Sequence, residues 1–530
     1  MPDASHASNS CWTCRQKRAK CDRLLPTCLR CSSLKLRCQG YDRPKKLVWT
    51  NSVASRGKMM GRITFGADDA TDKLASVGLA GPESIVVNRS AEALSEACLS
   101  SAQLSLSLID PDLQDLSHNC RNYIRYFDLE MSKECVVYYQ TSSNPFLALM
   151  PLMSKSQALF HAMVAISAFH YSHRLVINQV QVPPGDPGLV QSTSLWHASH
   201  GHDWQLTQPN FSPSLRTALA HKQKALQHLK SEIDSQDVTD NDAVVAAIVL
   251  FVCMDVVEFG SRGWEHHLGG AGEILKNRRG CLENRGCKSS AWLEYFDTAY
   301  TTFGILGATL APANGSFSRQ LASLDPSLMK ALRQSENQTW VGCPAELLYL
   351  ISTVNSLRSD TLTIFERQTV LKELQNGLRS FSPTAWAMCF SDSHYHEPRS
   401  HLAHAYRSAV EVYAFHIIGT IPGENITPRL YLDEVVRSAI IHMLSIPAED
   451  FHVKSLVWPA FIIGAEAQPT ELKNMVRAIF RNIWVSSCCY NVRNAIEILE
   501  KIWARDVRDG TPMKSWLEYV WELEDSWLFL

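Results

Sequence analysis

Residues 11–38 read CWTCRQKRAKCDRLLPTCLRCSSLKLRC, with cysteines at 11, 14, 21, 28, 31 and 38. Six of the sixteen cysteines fall in this stretch, and the other ten are spread through the rest of the chain. The spacing is C-x2-C-x6-C, then six residues, then C-x2-C-x6-C again, an internal duplication. Three disulfides would suit a small secreted domain, but no apolar leader precedes the stretch. One tetrahedral zinc needs four ligands and leaves two thiolates over. Two separate zincs need eight. Two zincs that share two cysteines need six, and six cysteines then make eight zinc–sulfur bonds. The first cysteine of each half, Cys11 and Cys28, is the natural bridging candidate, with Cys14, Cys21, Cys31 and Cys38 completing the two sites. A segment this short cannot bury enough apolar surface to fold alone. Structural zinc contributes about 10–16 kcal/mol in small domains, so the module is expected to be unfolded without metal.

Charge singles out the same region. The formal net charge of the 530 residues is −2, yet residues 11–46 hold eleven Lys or Arg against Asp22 and Asp42. The remainder is correspondingly acidic. A basic head on an acidic body points the head at a polyanion. The first half encloses RQKRAK, with Arg15, Lys17, Arg18 and Lys20, whereas the second encloses SSLKLR, with Lys35 and Arg37. Each half suits a cysteine turn followed by a short helix. The helix after Cys14 is the one expected to enter the major groove of double-stranded DNA. Arg15, Lys17, Arg18, Lys20 and Arg23 are the candidate DNA contacts. Pro26 turns the chain between the halves, and a cis Leu25–Pro26 bond is compatible with that turn.

Beyond the module, residues 47–115 are rich in Ser, Ala, Gly and Asp and read as a linker. Arg56, Lys58 and Arg62 within it could add phosphate contacts or a nuclear-import patch. From 116 to 530, apolar residues recur at helical spacing with no run of alternating strands and no repeat. Helices are expected over 154–177, 213–232, 241–259, 288–308, 342–357, 361–379, 398–418 and 427–446, then after a cap at Thr470 and after Asn491. The fold class is therefore mainly α: a small cysteine module at 1–46, a linker, and one large all-helical domain. The longest apolar run, AVVAAIVLFVCM at 243–254, is too short to span a bilayer and reads as a core helix, so no membrane partner is expected.

Motifs for catalysis are weak. GCLENRGCKSS at 280–290 lacks phosphate-loop spacing, and no GxSxG elbow occurs. His266 and His267 in WEHHLGG read as a packing corner. His197, His200 and His202, and His394 and His396 with Glu397, read as surface histidines. The tail WLEYVWELEDSWLFL, 516–530, suits a last helix whose Val520, Leu523 and Trp527 face the body; its acid and aromatic mixture also suits an activation segment.

The opening CWTCRQKRAKCD resembles the fungal-type six-cysteine zinc binuclear cluster of fungal transcription factors. The proline before the fourth cysteine fits as well. The resemblance implies two Zn(II) bridged by the first and fourth cysteines, and reading of CGG-type triplets at the major-groove edge. It implies guanine contact at the position of Arg18, where lysine is usual, with neighbours on phosphates. GYDRPKKLVWTNSVASRGKMMGR at 40–62, WEHHLGGAGEIL at 264–275 and WPAFIIGAEA at 458–467 extend the likeness to the fungal-specific transcription factor domain of the acriflavine-sensitivity-control subgroup. The expectation is a nuclear, non-enzymatic transcription factor of RNA polymerase II genes, regulating secondary metabolism or drug resistance. Coactivators or corepressors are expected partners, with dimerisation open. Two other readings compete: a chromatin-tethered enzyme, and a zinc- or redox-responsive protein-interaction module.

Overall fold

The computed structural model describes residues 7, 9–17, 19–38, 40–41, 116–141, 143–180, 212–234, 241–258, 263–285, 291–312, 328–359, 362–421, 429–505, 515–523 and 526–530. The chain divides into two compact units, Met1–Ser90 and Ala91–Leu530. Among the described residues no β-strand occurs. The expected linker, 47–115, lies outside the described residues, which resume at Leu116.

Among the described residues the first unit carries two five-residue helices, α1 (Trp12–Gln16) and α2 (Leu29–Ser33). The second unit is built from helices whose apolar stripes meet in one core. α3 (His118–Tyr126) runs through a π-helical turn at Phe127–Met131. α4 (Gln157–Val180) and α5 (Pro213–Ile233) pack along each other, and Glu232 near the end of α5 accepts from Ser156 Oγ and the Ala158 N–H at the start of α4. α6 (Asp242–Glu258) is the apolar run, and its described side chains from Ala243 to Glu258 are all buried. A helix with no polar face belongs at the centre of a bundle, and α4, α5, α7 and α8 pack around it.

α7 (Trp264–Arg285) and α8 (Ala291–Leu310) follow, then α9 (Leu328–Gln338), α10 (Ala345–Ser356), α11 (Ile364–Ser380) and the short α12 (Pro383–Met388). The last group is α13 (His396–Gly419), α14 (Arg429–Ser445), α15 (Val457–Glu466), α16 (Thr470–Ser487), α17 (Asn491–Trp503) and α18 (Trp516–Trp521). Thr363 and Glu366 form a capping box that starts α11, three residues later than periodicity places it.

Several expectations are corrected. Thr470 is the first helical residue of α16, after Pro469, and makes no side-chain cap. Gly280 to Arg285, which lack phosphate-loop spacing, continue α7; 286–290 lie outside the described residues. α7 itself was hidden by its glycines. Gly272 faces the Tyr300 ring of α8, and α8's Gly307 faces the Trp264 indole, so tertiary contact overrides poor helix propensity. WEHHLGG is a packing corner: Trp264 is buried, its Nε1 donates to Ser526 O at 3.3 Å, and Glu265 accepts from Ser526 Oγ at 2.5 Å. The corner therefore holds the tail, whose Trp527, Leu528, Phe529 and Leu530 are buried. α18 stops at Trp521, so Trp527 reaches the core from outside the helix expected to carry it.

Candidate metal centre and nucleic-acid interface

The two halves of the cysteine module fold alike because their backbones make the same bonds. Cys11 caps α1 by accepting the Cys14 N–H at 3.4 Å, and Cys28 caps α2 by accepting the Cys31 N–H at 3.3 Å. Each helix lasts little more than one turn, and the chain returns to bring in the third cysteine. The duplication extends to conformation: Arg23 and Gly40, each two residues beyond the third cysteine of its half, both have positive φ, 62° and 76°. Leu25–Pro26 is cis. Asp22 Oδ2 accepts the Leu29 N–H at 2.6 Å, and Tyr41 Oη donates to Leu24 O at 2.5 Å, tying the halves together.

The sulfurs converge. Cys11 Sγ lies 3.6 Å from Cys28 Sγ and 3.8 Å from Cys31 Sγ; Cys14 Sγ lies 3.7 Å and 3.9 Å from the same pair. These separations far exceed a disulfide bond. Two groups of four thiols form, Cys11, Cys14, Cys21 and Cys28, and Cys11, Cys28, Cys31 and Cys38, within each of which the sulfurs lie within 4.8 Å of one another. The groups share Cys11 and Cys28. Among the described residues, Cys11, Cys14, Cys28 and Cys31, with Cys21, Leu36, Cys38 and Tyr41 partly buried beside them, form the core of the unit.

The donor chemistry fits zinc. Burial pushes the Cys11 thiol up to about 12 and raises those of Cys14 and Cys28 as well. Burial also opposes ionisation of Cys21, but the Cys11 and Arg23 N–H groups outweigh it and bring Cys21 down to about 7. Thiolates packed this closely repel one another, and dications at their centre reverse that balance. Two dications and six thiolates carry −2 together, which leaves the surrounding basic segment strongly positive.

Of the candidate DNA contacts, Arg15, Lys17, Lys20 and Arg23 are exposed. Arg18 lies outside the described residues, as do Arg56, Lys58 and Arg62. The helix is not placed as expected: α1 spans Cys14 and ends at Gln16, so Lys17 is its cap and Lys20 lies beyond it. Cysteine capping at Cys11 starts the helix early. Trp12, which is not among the expected site residues, lies with its ring centroid 5.5 Å from the Arg15 guanidinium, a cation–π contact that restrains Arg15. The i, i+3 spacing of aromatic and arginine was the available signal.

Among the described residues the body holds more than one chain of groups with catalytic residue types. Ser515 Oγ lies 3.0 Å from His416 Nδ1, whose Nε2 lies 2.7 Å from Glu466 Oε2 beside the Trp516 indole, and a second chain runs from Asp450. Asp450 Oδ1 lies 2.7 Å from His452 Nδ1, and His452 Nε2 lies 2.9 Å from Tyr138 Oη, which in turn meets Arg399. Rings fill the space around it. Phe390 stacks on Tyr138 at 4.4 Å, Phe451 packs edge-on at 5.6 Å, and Arg399 lies 3.6 Å over Trp386. This second chain cements α12 and α13 to the 450 turn. His267 is likewise structural, its Nδ1 2.9 Å from Asp255 Oδ2 beside Lys222. His394 is exposed, and His396 Nε2 donates to Phe390 O at 2.8 Å. His197, His200 and His202 lie outside the described residues. Among the described residues no helix is long and apolar enough to cross a membrane.

Comparison with known proteins agrees with this geometry. Residues 9–47 match the fungal Zn(2)-Cys(6) binuclear cluster domain, and residues 122–530 match the fungal specific transcription factor domain. The acriflavine sensitivity control protein acr-2 of Neurospora crassa is 23% identical over 99% of this chain and 97% of its own length. A phomenoic acid biosynthesis cluster-specific transcriptional regulator of Leptosphaeria maculans is 22% identical over 88% of this chain and 80% of its own. No solved structure matches the chain. A Zn(2)-Cys(6) cluster binds two zinc ions and DNA, so zinc is the cofactor and DNA the partner of the first unit. The chain belongs to the fungal transcription factors that join such a cluster to a fungal-specific transcription factor domain.

Proposed function

We propose that this protein is a sequence-specific regulator of RNA polymerase II genes that reads CGG-like triplets through its zinc cluster. The observation that carries the reading is the pair of four-thiol groups sharing Cys11 and Cys28, set beside the exposed Arg15, Lys17, Lys20 and Arg23. Cys11, Cys14, Cys21, Cys28, Cys31 and Cys38 hold the two zincs, with Cys11 and Cys28 bridging. When bound, the metals supply the folding energy of the module and neutralise its thiolates. Arg15, Lys20 and Arg23 grip phosphates, which sets affinity and its salt dependence. Lys17 and Arg18 meet base edges, which sets sequence preference; an arginine paired with guanine discriminates by about 1–3 kcal/mol.

Residues 1–46 are the DNA-binding domain, 47–115 the linker and 116–530 the regulatory domain, which docks coactivators or corepressors in the nucleus. The names of the two relatives support a pathway-specific role, in secondary metabolism or in resistance to drugs and stress.

The test is a paired measurement on purified protein. Metal analysis should find two zincs per chain; one would overturn the shared cage. Arg18→Ala should weaken binding to a CGG-bearing duplex by roughly 5- to 150-fold more than to a scrambled one. Equal losses on both duplexes would remove Arg18 from base reading.

A further inference from the structure

The helix α5 buries one face and leaves another without a neighbour among the described residues. Its buried stripe is Ser214, Ala218, His221, Ala225 and Leu229, spaced by three and four against α4. On the outward side stand Leu219, Leu226 and Ile233, 42%, 40% and 42% exposed. They are seven residues apart, so on a 3.6-residue helix they form a nearly straight apolar seam two turns per step. The opposite side of that outward face carries Arg216 and Lys230, both exposed, with Gln223 between them.

Charge decides what such a seam can accept. Arg216 and Lys230 have no ion pair with any described residue, whereas Lys222, on the other flank, is neutralised by Glu258 and by Asp255 at 3.3 Å. Of the two acids in the segment, Glu232 is turned inward to Ser156, which leaves Asp234 just past the helix end. A second copy of α5 is a poor match. Antiparallel pairing about Gln223 sets Arg216 against Lys230, and those like charges oppose it; parallel pairing sets this flank against the one that carries Ala218 and Ala225, which leaves both cations without an acid. A helix with leucine-type residues at heptad spacing and acids flanking them satisfies both the apolar seam and the cations.

We infer that the outward face of α5, centred on Leu226, is a docking surface for an acidic amphipathic helix of a partner protein. This gives the regulator docking assigned to the body a place and a chemistry, and rests on that part of the proposed function. Leu219, Leu226 and Ile233 supply the buried anchor, while Arg216 and Lys230 select for acidic flanks and against basic ones.

The test uses the full zinc-loaded chain and two fluorescein-labelled synthetic helices. Both carry leucine at every a and d position; one has glutamate and the other lysine at e and g. The acidic helix should bind and the basic one should not. Leu226→Ser should weaken the acidic helix at least about tenfold. The double variant R216E/K230E should lose the acidic helix and gain the basic one. These residues are exposed, so circular dichroism should show an unchanged fold. Zinc content and duplex affinity, read on the same samples, should stay constant, which separates failure of this surface from failure of the DNA reading. Equal binding of the two helices overturns the inference, as does binding unaffected by either variant. Absence of binding to the full chain overturns it too, including where the chain's own residues occupy the face. So does a dimer that Leu226→Ser dissociates, because the occupant would then be a second copy.

Discussion

The cysteine module and the helical body meet the same entropic cost of folding by opposite means. In the body, α6 is buried on every side, and large rings such as Trp264, Trp458, Phe461 and Phe480 are fully enclosed. Hydrophobic burial of that kind scales with area and needs many residues. Among its described residues the module has α1 and α2, ten helical residues, and a buried core of four cysteines. Its stability must come from metal–sulfur bonds. The difference teaches where each unit is vulnerable: one to loss of a ligand, the other to loss of shape.

Chelation separates the two with the largest effect. Removing zinc should cost the module about 10–16 kcal/mol and unfold residues 11–38, while the body stays helical. Amide resonances of the module should collapse while ellipticity at 222 nm falls only slightly. A body that melts together with the module would show that the two units do not fold independently.

Shape is tested next, at the corner of α7 and α8. Trp264→Ala should destabilise the body by about 3–5 kcal/mol, because the cavity lies against Gly307 and the buried tail. Gly307→Ala attacks the same contact from the other side, since its Cβ would overlap the indole; overpacking there should cost about 1–3 kcal/mol. Zinc content should be unchanged in both. A urea midpoint within error of the parent would remove Trp264 from its role as the keystone of the tail.

How much of this was readable from residues alone follows the same division. The cysteine spacing encodes the cage almost completely, because ligand number and spacing are local and discrete. The long amphipathic segments were readable for a related reason: Val476, Ile479, Phe480 and Ile483 repeat at helical spacing and do face the core. α7 was not readable, because WEHHLGGAGEIL is rich in glycine, and those glycines are explained only by Tyr300 and Trp264 across the interface. The short α15 escaped too, since it is not long enough to show a period, whereas the last helix was expected and only its end at Trp521 was not. In the module, the start of α1 at Trp12 depended on a sulfur acting as helix cap, a role usually given to oxygen.

Acid should erode the body through its histidines. Burial, above all, lowers His161, His221, His173 and His442 to about 4, against an unfolded value near 6.5. His161 Nδ1 lies 2.9 Å from His221 Nδ1, a hydrogen bond that a second ring proton breaks. Between pH 6.5 and 4 the unfolded chain binds more protons than the folded one. Stability should therefore fall as pH drops through that window and level off below about 4. Urea midpoints across the window check the sign, and His221→Gln should flatten the slope. Stability that rises on acidification would contradict the buried, neutral assignment.

The smallest effect tests the duplication inside the module. Arg23 and Gly40 occupy equivalent positions and both adopt left-handed backbone, but only Gly40 does so without a Cβ penalty. A Cβ on Gly40 meets nothing within 4 Å, so Gly40→Ala isolates the backbone term and should cost about 1 kcal/mol. Arg23→Gly should relieve the matching strain, offset in part by the greater freedom of glycine in the unfolded chain. It should also remove one phosphate contact and lower the salt slope of DNA binding by about one. Competition with a graded zinc chelator reads the stability of both variants. If Gly40→Ala proves neutral while Arg23→Gly still lowers the salt slope, the left-handed turn is a by-product of the cage, and Arg23 acts through its charge alone.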